Sequence, residues 1–377
     1  MHQETICVHD GTYHDPETRG VNSPIFTSSS FEYMDRESCP YPRYFNTPNQ
    51  AAVVRKMSSL ELGEDGILFS SGMAAMSTTV LAFAGSGDHI VLMDELYGGT
   101  HAFATDIFDR LGIRYSFAAT DADAVIQAVT QSTKLIIIES PTNPLLGIID
   151  IRRVAEFARA RRITTIIDNT FATPVNQRPL TMGIDVVIHS GTKYMGGHSD
   201  LCCGIAITSH EYADRIRAMA RHLGGSLNAI TCYLLERSLK TLAIRVERQT
   251  QNAHRIAEFL AGHNFITKVN YPGLPNFRGH EIARSQMTGF GAMLSFELNE
   301  HRISTKPFLR RLRMIRPAVS LGGVESIICA PSETSHVKIS SEERRRIGIN
   351  DSLLRLSVGI EHADDIIEDI SQALNES

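Results

Sequence analysis

Lys193 is the residue whose setting most invites chemistry. It stands in Ser190-Gly191-Thr192-Lys193-Tyr194, directly after the apolar run Val186–Ile188, and Gly196-Gly197 follow. The chain has seven lysines against thirty arginines, so few amines compete for the part. Lys56 and Lys240 fall in helical stretches, Lys134 before an apolar run, and Lys268, Lys306 and Lys338 nearer the C-terminus. An amine at a ligand-binding strand end can be desolvated, which lowers its proton affinity and suits it to form an imine with a carbonyl. A lone lysine is more often a solvated surface group, so its companions decide.

Those companions also follow apolar runs. Ile67–Phe69 leads into Ser70-Ser71-Gly72-Met73, Ile90–Met93 into Asp94 and then Tyr97-Gly98-Gly99, Leu135–Ile138 into Glu139-Ser140-Pro141-Thr142-Asn143, and Thr164–Ile167 into Asp168-Asn169-Thr170. Ser71-Gly72-Met73 opens a helix and offers backbone N–H groups to an anion. Ser190 and Thr192 add hydroxyls. Asp168 ends an apolar strand, where an unpaired carboxylate is costly and calls for a cation. Tyr97 beside two glycines can lie flat against a ring. Each alone has a plainer reading as a helix start, a cap, a turn residue or a surface group. At successive strand ends they form a set: phosphate cradle, carboxylate, stacking ring and amine. Pyridoxal 5′-phosphate (PLP) presents the matching parts, namely a phosphate, a pyridine nitrogen, a flat ring and an aldehyde.

The elements that must position this set can be read from the pattern. Short apolar runs, with Gly204–Ile207 as a sixth, alternate with helical stretches such as Asp123–Thr130 and Ile151–Arg161. That alternation predicts an α/β fold with a largely parallel sheet covered on both faces, whose ligands lie beyond the carboxyl ends of the strands. Residues 226–260 read as one or two long helices, Met293–Leu298 and Leu353–Val358 as strands, and His362–Leu374 as a closing helix. The expected division is an irregular arm over 1–50, a large α/β domain over 51–245 and a smaller α+β domain over 246–377. The arm carries Phe26, Phe31, Tyr33, Tyr41, Tyr44 and Phe45 among its prolines. Composition leaves open whether it covers its own domain or a partner subunit.

Other classes are excluded or disfavoured. The 377 residues carry a net charge of −5, which does not predict a nucleic-acid partner. No apolar run approaches bilayer-spanning length, and Met1–Asp10 has neither the basic nor the apolar part of a secretory signal. Six cysteines, with Cys202-Cys203 adjacent and read as buried packing, give neither a disulfide scaffold nor a zinc site. No metal is expected, and a cytoplasmic setting is. Gly85-Ser86-Gly87 lacks the third glycine of a dinucleotide fingerprint.

Taken with Glu139-Ser140-Pro141-Thr142-Asn143-Pro144, Tyr271-Pro272-Gly273-Leu274, Ser320-Leu321-Gly322-Gly323-Val324-Glu325-Ser326 and Arg355-Leu356-Ser357-Val358-Gly359, these motifs resemble the Cys/Met-metabolism PLP-dependent enzymes. That family includes cystathionine γ-synthases, γ-lyases, β-lyases and methionine γ-lyases. The resemblance covers almost the whole chain in order. It implies the PLP-dependent transferase fold of type I, as in aspartate aminotransferase, and a homotetramer made of two tight dimers. It further implies that Lys193 is the Schiff-base lysine, Asp168 the partner of the pyridine nitrogen and Tyr97 the stacking ring. Gly72, Met73, Ser190 and Thr192 would hold the phosphate, with Tyr41 and Arg43 reaching the neighbouring subunit's phosphate. Arg355 would grip the substrate carboxylate, with Ser320 and Asn143 beside it. Two departures stand out: Asn46-Thr47-Pro48 where the family usually has Asn-Pro-Thr, and Ser238 where it has glycine.

The expected activity is elimination or replacement at Cγ of a sulfur- or oxygen-substituted amino acid, with Lys193 as base and Tyr97 assisting proton movement. The alternatives are cystathionine β-lyase-type cleavage at Cβ and methionine γ-lyase-like activity. The turn after Tyr97-Gly98 lacks the cysteine that methionine γ-lyases usually carry.

Overall fold

The computed structural model describes residues 1–35, 37–334 and 341–375; Lys338 lies outside them. Seven strands form the main sheet: β1 (Asp65–Phe69), β2 (His89–Met93), β3 (Arg114–Ala118), β4 (Thr133–Glu139), β5 (Thr164–Asp168), β6 (Val186–Ser190) and β7 (Gly204–Thr208). Their order is β1-β7-β6-β5-β4-β2-β3. Every neighbouring pair is parallel except those made by β7, which runs against both β1 and β6.

Burial on both faces explains the apolar runs. Along β1, Ile67 and Phe69 pack with Ala75, Met76 and Val80 of helix Gly72–Phe83. Leu68 faces the other way, against Val53, Met57 and Leu60 of helix Pro48–Glu61. This period-2 alternation serves two cores at once. Thr47 precedes the second helix, and its N–H donates to Gln50 Oε1 at 3.1 Å. The Asn46-Thr47-Pro48 departure thus supplies a helix start, with proline at the first helical position.

A second sheet follows: β8 (Ile266–Asn270), β9 (Met293–Leu298), β10 (Arg316–Pro317), β11 (Ile327–Cys329) and β12 (Leu353–Ser357), in the order β10-β11-β12-β9-β8. Helices Leu242–Ala261 and Ala363–Asn375 cover it, with Ala253, Ile256, Leu260, Ile366 and Ile370 on Leu294, Phe296, Leu354 and Leu356.

The structure departs from the sequence reading in places. Strand β3 is an edge strand whose residues are mostly half-exposed, so it carries no continuous apolar run. The first 50 residues contain a helix, Gln3–His9, too short to show periodicity. Lys56 Nζ, fully buried, donates to the Ile6 and Cys7 carbonyls at that helix's C-terminal end. Cys203 is buried but Cys202 is exposed, because adjacent side chains in extended chain point oppositely. No helix among the described residues is long and apolar enough to cross a membrane.

Candidate active site

The C-terminal ends of β4, β5 and β6 lie side by side and open on the turn that starts helix Gly72–Phe83. That helix leaves its first N–H groups without intrahelical acceptors, while Ser71 Oγ accepts from Ala74 N at 3.0 Å. Gly72 lies so close to Ser190 that a Cβ there would sit 2.9 Å from Ser190 Cβ. The N–H groups of Gly72 and Met73 and the Ser190 hydroxyl therefore share one concave patch, suited to an oxyanion.

Asp168 ends β5. Its Oδ1 accepts from Thr170 Oγ1 at 2.5 Å and Thr170 N at 3.0 Å. Thr170 Oγ1 in turn accepts from Ser190 N at 2.8 Å, so one hydroxyl links the acid to the anion patch. Asp168 Oδ2 has no hydrogen-bond partner among the described residues and is available to a cationic N–H. Burial pushes the Asp168 carboxyl up, and the Thr170 hydroxyl and N–H pull it back down.

Tyr97 starts helix Gly98–Ile107 and is 46% exposed. Its ring lies over Gly99, where a Cβ would meet the ring at 2.5 Å and Met73 Sδ at 3.0 Å. Only glycine lets the ring settle there, beside the anion patch. Glu139 fixes the turn, its Oε2 accepting from Tyr97 N at 2.8 Å.

Lys193 Nζ donates to Ser320 Oγ at 2.8 Å. Burial lowers its proton affinity first, and the nearby Arg355 charge lowers it further. Ser320 adopts a left-handed conformation (φ 80°), which is strained for serine. Its carbonyl accepts from Arg355 Nη2 at 2.9 Å, and Asn143 Oδ1 accepts from Arg355 Nη1 at 2.8 Å. Arg355, on β12, is 5% exposed and its Nε has no partner. No carboxylate pairs with it among the described residues. A buried guanidinium held by neutral oxygens, with a donor to spare, is a receptor for a small carboxylate.

The structure thus gathers Gly72, Met73, Tyr97, Asn143, Asp168, Ser190, Lys193, Ser320 and Arg355 around one cleft. Thr192 flanks it, but its hydroxyl is engaged with the Cys203 backbone at 3.2 and 3.1 Å. Tyr41 and Arg43 do not join within this chain. Arg43 Nη1 donates to the Arg221 carbonyl at 2.8 Å, and its guanidinium lies near the Tyr41 and Tyr44 rings.

Sequence reasoning did not assign Thr170 or Glu139 a role, although both stood in the strand-end motifs. It also missed Arg245, a buried cation whose Nη1 donates to the Tyr194 carbonyl at 2.8 Å and whose Nη2 donates to the Ser238 carbonyl at 3.0 Å. Burial pushes it down to about 10. It braces the turn just after Lys193 through a backbone carbonyl that any residue at 238 would offer, while the Ser238 hydroxyl lies 3.4 Å from His198 Nδ1. Glu61 and His189, both fully buried and joined at 2.5 Å, support the same strand ends, and Asn169 Nδ2 donates to Glu61 at 3.1 Å. A helix-terminal Glu gives no sequence signal for that.

The free acid oxygen, the anion patch, the open ring seat and the desolvated amine fit PLP part for part. The model of the Cys/Met metabolism PLP-dependent enzyme family matches residues 4–375. The chain belongs to that family. Its cofactor is PLP, and its fold is that of the type I PLP enzymes. It is 42% identical to the cystathionine gamma-lyase of Bacillus subtilis (strain 168), over 99% of both chains. It is equally 42% identical to cystathionine beta-lyase MetC of the same organism, over 99% of this chain and 96% of that one. The solved cystathionine gamma-lyase from Lactobacillus plantarum, complexed with L-serine, superposes with a TM-score of 0.95 at 38% identity, covering 99% of this chain and 98% of the other. This family member is a lyase or transferase of sulfur amino-acid metabolism.

Proposed function

We propose that this enzyme eliminates or replaces a sulfur or oxygen substituent at Cγ of an amino acid, as cystathionine γ-lyases and γ-synthases do. The carrying observation is Arg355, a buried cation with a spare donor and no anionic partner among the described residues, joined through Ser320 to the Lys193 amine. It suits an α-carboxylate whose Cα lies near Nζ. The Gly322-Gly323-Val324-Glu325-Ser326 segment resembles the γ-enzymes more than the β-lyases, which supports Cγ over Cβ.

Asp168 Oδ2 would hold the PLP ring nitrogen, the Gly72, Met73 and Ser190 patch its phosphate, and Lys193 its aldehyde. Bound there, PLP supplies an electrophilic carbon and a ring that accepts electrons. Arg355 and Asn143 orient the substrate carboxylate. Lys193 Nζ, steered by Ser320 Oγ, takes the proton from Cα. Leaving-group loss from Cγ requires a second proton to leave Cβ, and the half-exposed Tyr97 phenol is available to pass protons outward.

Incubation with cystathionine, with O-acetyl- or O-succinyl-homoserine plus cysteine, and with methionine tests the reading. The expected products are 2-oxobutanoate from cystathionine, or cystathionine from the homoserine esters. Pyruvate from cystathionine would instead establish Cβ cleavage.

We further infer a cytoplasmic homotetramer, a dimer of dimers, in which the arm over 1–50 crosses to a partner while 51–245 and 246–377 form the two domains. Val21, Tyr33, Met34, Tyr41 and Tyr44 are exposed on that arm, as an interface segment would leave them in one chain. Co-expression of Lys193→Ala with Arg43→Ala chains is expected to restore about a quarter of parent activity, because a mixed dimer regains one complete site. No restoration would mean self-contained sites.

A further inference from the structure

Strand β4 ends on a carboxylate that the reaction does not touch. Glu139 is 5% exposed, and its sheet partner on β5 is Asp168. Two acids thus lie side by side in the interior, and no Lys, Arg or His pairs with Glu139 among the described residues. Such an arrangement is costly unless it performs a task.

What Glu139 does touch is specific. Oε2 accepts from Tyr97 N at 2.8 Å, and Oε1 accepts from Asn143 N at 3.0 Å. Tyr97 carries the ring against which the cofactor stacks, and Asn143 carries the oxygen that orients Arg355. These two turns come from different strands, β2 and β4, and no other side chain among the described residues bonds to both backbones. We propose that Glu139 is a positioning residue that locks the ring-stacking turn to the carboxylate clamp, and so sets where the substrate Cα stands relative to the cofactor ring. The proposal rests on the reading above of Tyr97 and Arg355.

A carboxylate is the group the task requires. Both bonds are accepted, one by each oxygen, so an amide, with one acceptor and one donor, satisfies only one N–H and opposes the other. Burial and the Asp168 charge push the Glu139 carboxyl well up, while the two N–H donors pull it down. A protonated ring nitrogen on Asp168 adds the cation that offsets both acids. Cofactor capture and turn locking therefore reinforce one another.

The test uses Glu139→Gln and Glu139→Asp in the full chain. Each variant is stripped of PLP and titrated with it, followed by visible absorbance and circular dichroism, then reloaded for kinetics. In Glu139→Gln, the PLP dissociation constant and the KM for the amino-acid substrate are both expected to rise about tenfold, the factor one buried hydrogen bond carries. The visible circular dichroism of bound PLP should change with them. Glu139→Asp keeps the carboxyl group but draws its oxygens back, and should move both quantities in the same direction.

A drop in unfolding temperature with both quantities within twofold of the parent overturns the proposal, as does movement of only one. If Glu139→Gln does not fold, Glu139→Asp decides on the same criteria. Lys193→Ala checks the underlying reading separately: parent-like PLP absorbance in that variant would sink the site assignment, whatever Glu139 does.

Discussion

Replacing Lys193 with alanine is expected to lower kcat/KM by at least about 10⁴-fold, since one amine both holds the cofactor covalently and moves the Cα proton. The chain should still bind PLP through Asp168 and the anion patch, but more weakly and without the absorbance of an attached cofactor. Its fold should not suffer. The Lys193 side chain makes a single hydrogen bond among the described residues, to Ser320, and burial and Arg355 both disfavour its charge. Small primary amines added to the variant should recover a measurable fraction of turnover by replacing the missing base. Retention of turnover within tenfold of the parent would refute the assignment, and a large loss of secondary structure would point to a structural lysine.

Much of the main sheet was legible because both of its faces are buried. Central strands that serve two cores must be apolar throughout, and β2, β4, β5 and β6 announce themselves as Ile- and Val-rich runs. The rule fails where burial is one-sided or brief. Strand β3 offers Tyr115 and Phe117 to the core but alternates them with Arg114 and Ser116, and β10 and β11 have two and three residues. The antiparallel sense of β7 was not readable, since an apolar run carries no direction.

The site divides in the same way. Residues proposed to meet the cofactor and substrate were legible because they follow strands and belong to a chemical set: amine, acid, stacking ring, helix start. Residues that hold those groups in place were not. Glu61 lies 128 positions from the His189 it bonds, and Arg245 lies 51 positions from the Tyr194 carbonyl. Such partners are joined only by tertiary contact. Tyr41 and Arg43 are a third case, recognisable by motif yet engaged away from the other site residues within one chain, where Arg43 bonds the Arg221 carbonyl.

Arg355 separates function from stability most cleanly. Arg355→Leu is expected to cost about 10²-fold or more in kcat/KM, mostly through KM, because charge-assisted bonding to the substrate carboxylate vanishes from a buried position. Stability should respond differently. In the folded chain Arg355 is a buried cation held by Asn143 Oδ1 and the Ser320 carbonyl, with Nε unpaired and no acid among the described residues to balance it. An apolar side chain removes that desolvation cost while leaving Asn143 Oδ1 and the Ser320 carbonyl each without this donor, so the effects oppose and the net change should stay within about 2 kcal/mol. Arg355→Lys should not rescue, since a point charge cannot serve Asn143, Ser320 and a carboxylate in one plane. Chemical denaturation alongside steady-state kinetics decides the matter. A variant that unfolds several kcal/mol more easily but keeps its KM would make Arg355 a structural tie between the sheets instead of the group that receives the substrate.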